Sequence, residues 1–186
     1  MKLKDATEVR HKRLESRLDL LNQASTLRDY QKLLTRFFGF YSAVEPQVAA
    51  ALSQAKIDFD FAARHKTPLL LRDLSALGFD PTEIDSLPVC QSMLNLATPA
   101  QIFGYLYVAE GSTLGGQLLS RHFAEKFGLT ESNGGAFFRA YGERTGMMWR
   151  EFQATLNAFA VTDEQQHVMA ATANETFEML EVWLCE

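Results

Sequence analysis

Apolar residues recur along this chain at three- and four-residue intervals, and no stretch sustains the two-residue alternation of a half-buried strand. Leu14, Leu18 and Leu21 mark the inner stripe of a first amphipathic helix over residues 3–21, with a heavily charged outer face. Tyr30, Leu33, Leu34, Phe37, Phe38, Tyr41 and Val44 form a broader stripe and predict a second helix that starts after Ser25 or Thr26. Pro46 falls inside that pattern and predicts a break or kink before the helical period resumes in QVAAALSQAK.

Turn chemistry sets the remaining boundaries. KIDFDFAARHK reads as a connector. Thr67 followed by Pro68 has the form of an N-cap with proline at the first helical position, and Gly78 would close that helix. Residues 79–97, with Pro81 and Pro88, make the longest irregular stretch. Thr98 and Pro99 repeat the start signal for a helix that runs to Phe127 and stops at Gly128. TESNGGA is a turn, and FFRAYGERTGMMWREFQATLNAF is helical with an interruption near Gly142. Thr162 with Gln165 fits a capping box that opens a last helix. The expected fold is all-α, one domain over residues 1–186, without internal repeats or low-complexity segments.

Composition narrows the function classes. With 47% hydrophobic and 22% charged residues the chain is an ordinary globular sequence, and its net charge of −5 argues against a nucleic-acid binder. Cys90 and Cys185 form no CxxC or disulfide-dense pattern and read as free thiols of a reducing compartment. The charged N-terminus has no apolar signal-like run, and no segment has the length and apolarity of a membrane span. A soluble cytoplasmic protein with no nucleic-acid or membrane partner is the expectation.

Two stretches carry candidate chemistry. LYVAEGSTLGGQLLSRHF reads as a buried helix, yet it holds Gly111, Gly115 and Gly116, each costing roughly 1 kcal/mol relative to Ala in a helix interior. Bare backbone at Gly111 and Gly115 would let a flat ligand approach, and Gly116 adds freedom to bend; small residues at this spacing also suit close packing of helices. In ATEVRHKRLES, His11 and Glu15 are four apart and share a helix face. The carboxylate can orient the imidazole while the second ring nitrogen binds a metal, or the histidine is one more polar residue on a solvated face. Taken together, the two stretches suggest a histidine-ligated haem under a glycine-rich helix, with an open sixth position. His65 is expected to be exposed, His122 and His167 lack local partners, and Trp149 and Trp183 read as packing residues.

LKDATEVRHKRLE and GSTLGGQ, in this order and at this separation, resemble the haem oxygenases. YVAEGSTLGG is most similar to bacterial biliverdin-forming members, including those that supply bacteriophytochromes. The resemblance implies a helical bundle that holds haem between a proximal and a distal helix, as cofactor and substrate. It implies cleavage to biliverdin, CO and iron by O₂ with an external electron donor such as ferredoxin or a flavoprotein reductase. It makes His11 the axial ligand, Glu15 its partner, and Gly111, Gly115 and Gly116 the distal wall. Thr7 would pack on the haem, Lys4 and Arg139 would hold propionates, Tyr107 would donate a hydrogen bond, and Phe177 would touch the ring. Ser112 stands where some relatives carry an aspartate that orders water around bound oxygen. A non-catalytic haem carrier or sensor of the same fold, and a helical interaction protein without cofactor, are the competing expectations.

Overall fold

The computed structural model describes residues 3–185, and no strand occurs among them. The order is α1 (Leu3–Leu18), α2 (Leu20–Gln23), α3 (Leu27–Gln54), α4 (Thr67–Ala76), α5 (Pro81–Asp85), α6 (Pro99–Phe127), α7 (Ala136–Arg139), α8 (Thr145–Phe159) and α9 (Asp163–Cys185). Short 3₁₀ turns lie at Ala62–Arg64 and Gly142–Arg144. The expected all-α architecture is the observed one. No helix among the described residues is long and apolar enough to cross a membrane.

Most boundaries follow local chemistry. The Thr26 hydroxyl accepts from the Asp29 amide while the Asp29 carboxylate accepts from the Thr26 amide, opening α3 with a reciprocal cap. Thr98 with Gln101 does the same for α6, whose far end stops at Gly128 in the left-handed region (φ 67°). Gln165 and Thr162 exchange the equivalent bonds at the start of α9.

Four expectations are corrected. The first helix does not continue to Leu21, because Asp19 adopts φ 31° and separates α1 from α2. Pro46 does not break α3, which runs through it and loses only the donor that would pair with the Ser42 carbonyl; next to it the side-chain amide of Gln47 donates to the Ala43 carbonyl (2.9 Å). Thr67 does not cap α4. The Glu45 carboxylate reaches across from α3 instead and accepts the backbone N–H groups of Lys66 and Thr67. Within the stretch expected to be irregular, Asp80 and Glu83 form a capping box that starts α5.

α6 is the central helix, packed on α9, α8 and α7, while α1 lies along α9. The α6–α9 crossing is so close at Gly104 that a Cβ there would stand 2.6 Å from the Met169 carbonyl oxygen. Tyr30, Phe40, Phe103, Tyr105, Phe123 and Phe152 are fully buried around this axis. Two polar clasps orient the walls of the site. The Asp73 carboxylate of α4 accepts the amides of Ala136 (2.8 Å) and Phe137 (2.7 Å), fixing α7; burial pushes its pKa up. Glu181 of α9, a buried residue, accepts Arg17 Nη1 (2.7 Å) and Arg13 Nε (2.9 Å), holding α1 in place.

Candidate haem site

A cavity of about 540 Å³ opens between α1 and the end of α9 on one side and the second half of α6 on the other. Its size falls within the roughly 300–1,000 Å³ usual for small-molecule sites. Leu14, Leu18, Phe37, Phe137, Phe138 and Leu180 make the walls predominantly apolar, as a flat hydrophobic ligand requires.

His11 stands on the α1 wall. Its ring lies 5.3 Å from that of Phe177, its Nε2 is 3.4 Å from Glu15 Oε1, and its side chain remains 53% exposed. The expected His11–Glu15 pair is therefore present at the cavity, and Phe177 lines the same wall. Helical spacing alone brings His11 and Glu15 together; α9 supplies the aromatic floor.

The glycines of α6 face this wall for different physical reasons. A Cβ on Gly115 would meet nothing within 4 Å, so this backbone opens directly onto the cavity. At Gly111 a Cβ would make ordinary contact with the Trp149 ring at 3.8 Å. At Gly116 it would lie 2.9 Å from the Phe138 carbonyl oxygen, so this residue permits α7 to pack tightly on α6. Both readings of the cluster thus apply: Gly115 to ligand approach, Gly116 to packing. α6 runs through all three as a continuous helix.

The other expected contacts are distributed less tightly. Tyr107 lines the cavity, and its hydroxyl interacts with that of Thr7 while burial raises its pKa. Thr7 itself is buried and donates to the carbonyls of Leu3 (3.0 Å) and Lys4 (3.3 Å), without lining the cavity. Lys4 is exposed at the start of α1, outside the lining. Arg139 also stands outside it; its Nε is drawn to Glu131 (3.5 Å), and its carbonyl accepts from Gln117 of α6 (2.9 Å). Ser112 lines the cavity, donates to the Ala109 carbonyl (2.9 Å) and interacts with the Tyr41 hydroxyl.

An ionic cluster behind the glycine wall was not anticipated. Glu110, 1% exposed, directly precedes Gly111. Its carboxylate receives Arg64 Nη1, Lys66 Nζ (3.1 Å) and the Tyr141 hydroxyl (2.8 and 3.1 Å). Arg64 also donates to the Met148 carbonyl (3.3 Å), and Lys66 donates to the Tyr141 oxygen (2.8 Å). Burial and the neighbouring carboxylate push the Tyr141 hydroxyl pKa upward, so it stays protonated and donates. One signal was legible: a carboxylate within the apolar run YLYVAE demands buried partners. The identity of those partners was not, because Arg64 and Lys66 sit in a connector that reads as solvated.

These features define a helical protein built to hold a flat apolar ligand between a histidine-bearing helix and a glycine-bearing one. The Heme oxygenase family pattern matches residues 1–186, and the chain belongs to that family. It is 28% identical over 179 residues to Heme oxygenase PigA of Pseudomonas aeruginosa, covering 92% of this chain and 83% of that protein. The NO- and CO-bound heme oxygenase of Neisseria meningitidis superposes with a TM-score of 0.79 at 26% identity, over 98% of this chain and 88% of that one. The heme oxygenase of Leptospira interrogans shares the fold, with a TM-score of 0.74 at 18% identity over 98% and 96% of the two chains. The protein is accordingly a haem-degrading oxygenase, with haem as its substrate.

The residues present fit that substrate. One imidazole projects from an apolar wall, and the opposite wall has unfilled space where a side chain at position 115 would stand.

Proposed function

We propose that this chain opens haem to biliverdin with release of CO and iron, using O₂ and electrons from an external donor such as ferredoxin or a flavoprotein reductase. The observation that carries the reading is the cavity with His11 on one wall and the Cβ-free surface of Gly115 on the other. Haem, when bound, supplies the iron at which O₂ is reduced and the macrocycle edge that is oxidised. His11 is the residue that would hold the iron. Glu15 orients its ring from the next turn, as carboxylate partners of ligating histidines do.

Gly111 and Gly115 keep the opposite face clear, so that a small molecule fits between α6 and the ring, and Gly116 keeps α7 close behind. Ser112 and Tyr107 offer hydroxyls at that wall, and Phe177 packs beneath His11. Thr7 steadies Tyr107. Lys4, exposed at the start of α1, is the propionate base. Arg139 is a weaker candidate for that role, since Glu131 already engages its guanidinium.

The chain acts in the cytoplasm, where Cys90 and Cys185 remain the free thiols they are here. The wording of the glycine motif, YVAEGSTLGG, makes a bacteriophytochrome the acceptor of the biliverdin.

Haem titration followed by ascorbate- or ferredoxin-driven turnover, with product chromatography, tests the proposal. It predicts a Soret band at one haem per chain, CO release and biliverdin. His11→Ala is expected to lose axial ligation and to keep a helical far-ultraviolet spectrum. A ferric haem spectrum identical to that of the wild type would remove His11 from its role.

A further inference from the structure

Lys66 is 3% exposed and, among the described residues, is the only lysine or arginine that lines the haem cavity. An ammonium carries three N–H donors. Glu110 takes one (3.1 Å) and Tyr141 takes a second (2.8 Å). The third meets no further hydrogen-bond acceptor among the described residues, with the Tyr141 ring 4.6 Å from the Nζ, and Lys66 is one of the residues bordering the space beside the glycine wall. The same wall presents a neutral hydroxyl at Ser112, already directed to the Ala109 carbonyl.

We propose that Lys66 is a positioning residue of the glycine-wall half of the cavity. Its uncommitted N–H holds a solvent molecule between α6 and the bound ligand, supplying the charge-assisted hydrogen bonding that serine at 112 does not. This inference rests on the reading of His11 as the iron ligand.

The supporting structure is rigid. Glu110 is gripped by Arg64 as well, and the Glu45 carboxylate anchors the Lys66 backbone N–H, so the side chain is held at both ends. Two cations, Arg64 and Lys66, share one carboxylate at Glu110, with Glu45 close to Lys66 and the exposed Glu151 3.9 Å from Arg64. Glu110 thus divides its charge between two cations, and Glu45 is a second carboxylate near the ammonium. Burial lowers its pKa and Glu110 opposes that shift. A desolvated cation stabilises nearby negative charge far more than an exposed one.

Fluoride is an anionic hydrogen-bond acceptor that binds ferric haem, whereas CO on ferrous haem is neutral and accepts weakly. Fluoride affinity of the ferric complex, followed by absorbance, is compared for the wild type, Lys66→Met and Lys66→Arg. Lys66→Met is expected to weaken fluoride about tenfold, and Lys66→Arg by no more than about threefold, with CO affinity unchanged within about twofold. Fluoride binding by Lys66→Met within about twofold of wild type, or an equal loss for fluoride and CO, overturns the assignment. Should Lys66→Met fail to fold by circular dichroism, Lys66→Gln replaces it, with weakening of about threefold or more expected and none overturning the proposal. A wild-type protein without a histidine-ligated Soret spectrum sinks both this inference and the haem reading. A normal wild type with an insensitive Lys66 sinks this one alone.

Discussion

Glu110→Gln isolates the ionic cluster behind the glycine wall. The substitution preserves shape and removes one charge. Arg64 and Lys66, 7% and 3% exposed, then lie beside one another without the carboxylate that separates them. Removing one partner from a buried ion pair costs about 3–5 kcal/mol. For a chain of this length each kcal/mol lowers the melting temperature by about 2–4 °C, so a fall of roughly 6–20 °C is expected. The Glu45 carboxylate offsets part of this, although it is committed to two backbone amides, which places the expected value in the lower half of the range. Glu131→Gln is the internal control. Among the described residues its carboxylate pairs with the half-exposed Arg72 (3.1 Å) and Arg139 (3.5 Å), a kind of pair worth about 0–1 kcal/mol. Thermal unfolding of the haem-free protein by circular dichroism, with urea midpoints as a second measure, separates the two. Glu110→Gln combined with Lys66→Met should cost less than the sum of the single changes by about 1–3 kcal/mol. A Glu110→Gln protein that melts within about 2 °C of wild type would refute the reasoning.

Further outcomes follow from other parts of the site. Gly115→Ala should raise haem-free stability by about 1 kcal/mol, because the position is helical and unobstructed, while Gly115→Leu should suppress biliverdin formation by filling the cavity; normal product yield from the leucine variant would count against the open-wall model. Gly116→Ala should destabilise despite its better helix propensity, since its Cβ meets the Phe138 carbonyl at 2.9 Å, and unchanged unfolding would contradict that contact. The Glu181 carboxyl is held below its usual 4.5 by hydrogen bonds from Arg17 and Arg13. Its contribution is therefore fully present above pH 4.5 and is lost as pH falls through the lowered folded value. Haem retention should drop in that acid window, and Glu181→Gln should remove that acid dependence; a variant with the wild-type pH profile would dissociate the α1 clasp from haem binding.

The parts legible in the sequence are those decided within a few residues. The Thr26, Thr98 and Thr162 caps, the Gly128 stop and the His11–Glu15 pair all depend on groups three or four positions apart, and each lies where its pattern places it. What escaped depends on distant groups. The cap on α4 comes from Glu45, some twenty residues earlier in the chain, and no local pattern at Thr67 reveals it. Asp19 reads as an ordinary surface residue, yet its left-handed backbone ends α1. The glycines were visible as a cluster, but their separate uses emerge only when Phe138 is seen against Gly116 and empty space against Gly115. Lys66 looked like one more charge in a polar connector until α6 and Tyr141 closed over it.

Because Arg13 and Arg17 meet Glu181 more than 160 positions along the chain, one side of the binding slot is assembled from the first and last helices together. Without α9 the imidazole of α1 has neither its aromatic neighbour Phe177 nor the Glu181 carboxylate that braces its helix. Slot formation is thereby tied to a contact of very long sequence separation, whose loop-closure entropy must be met before the contact stabilises anything.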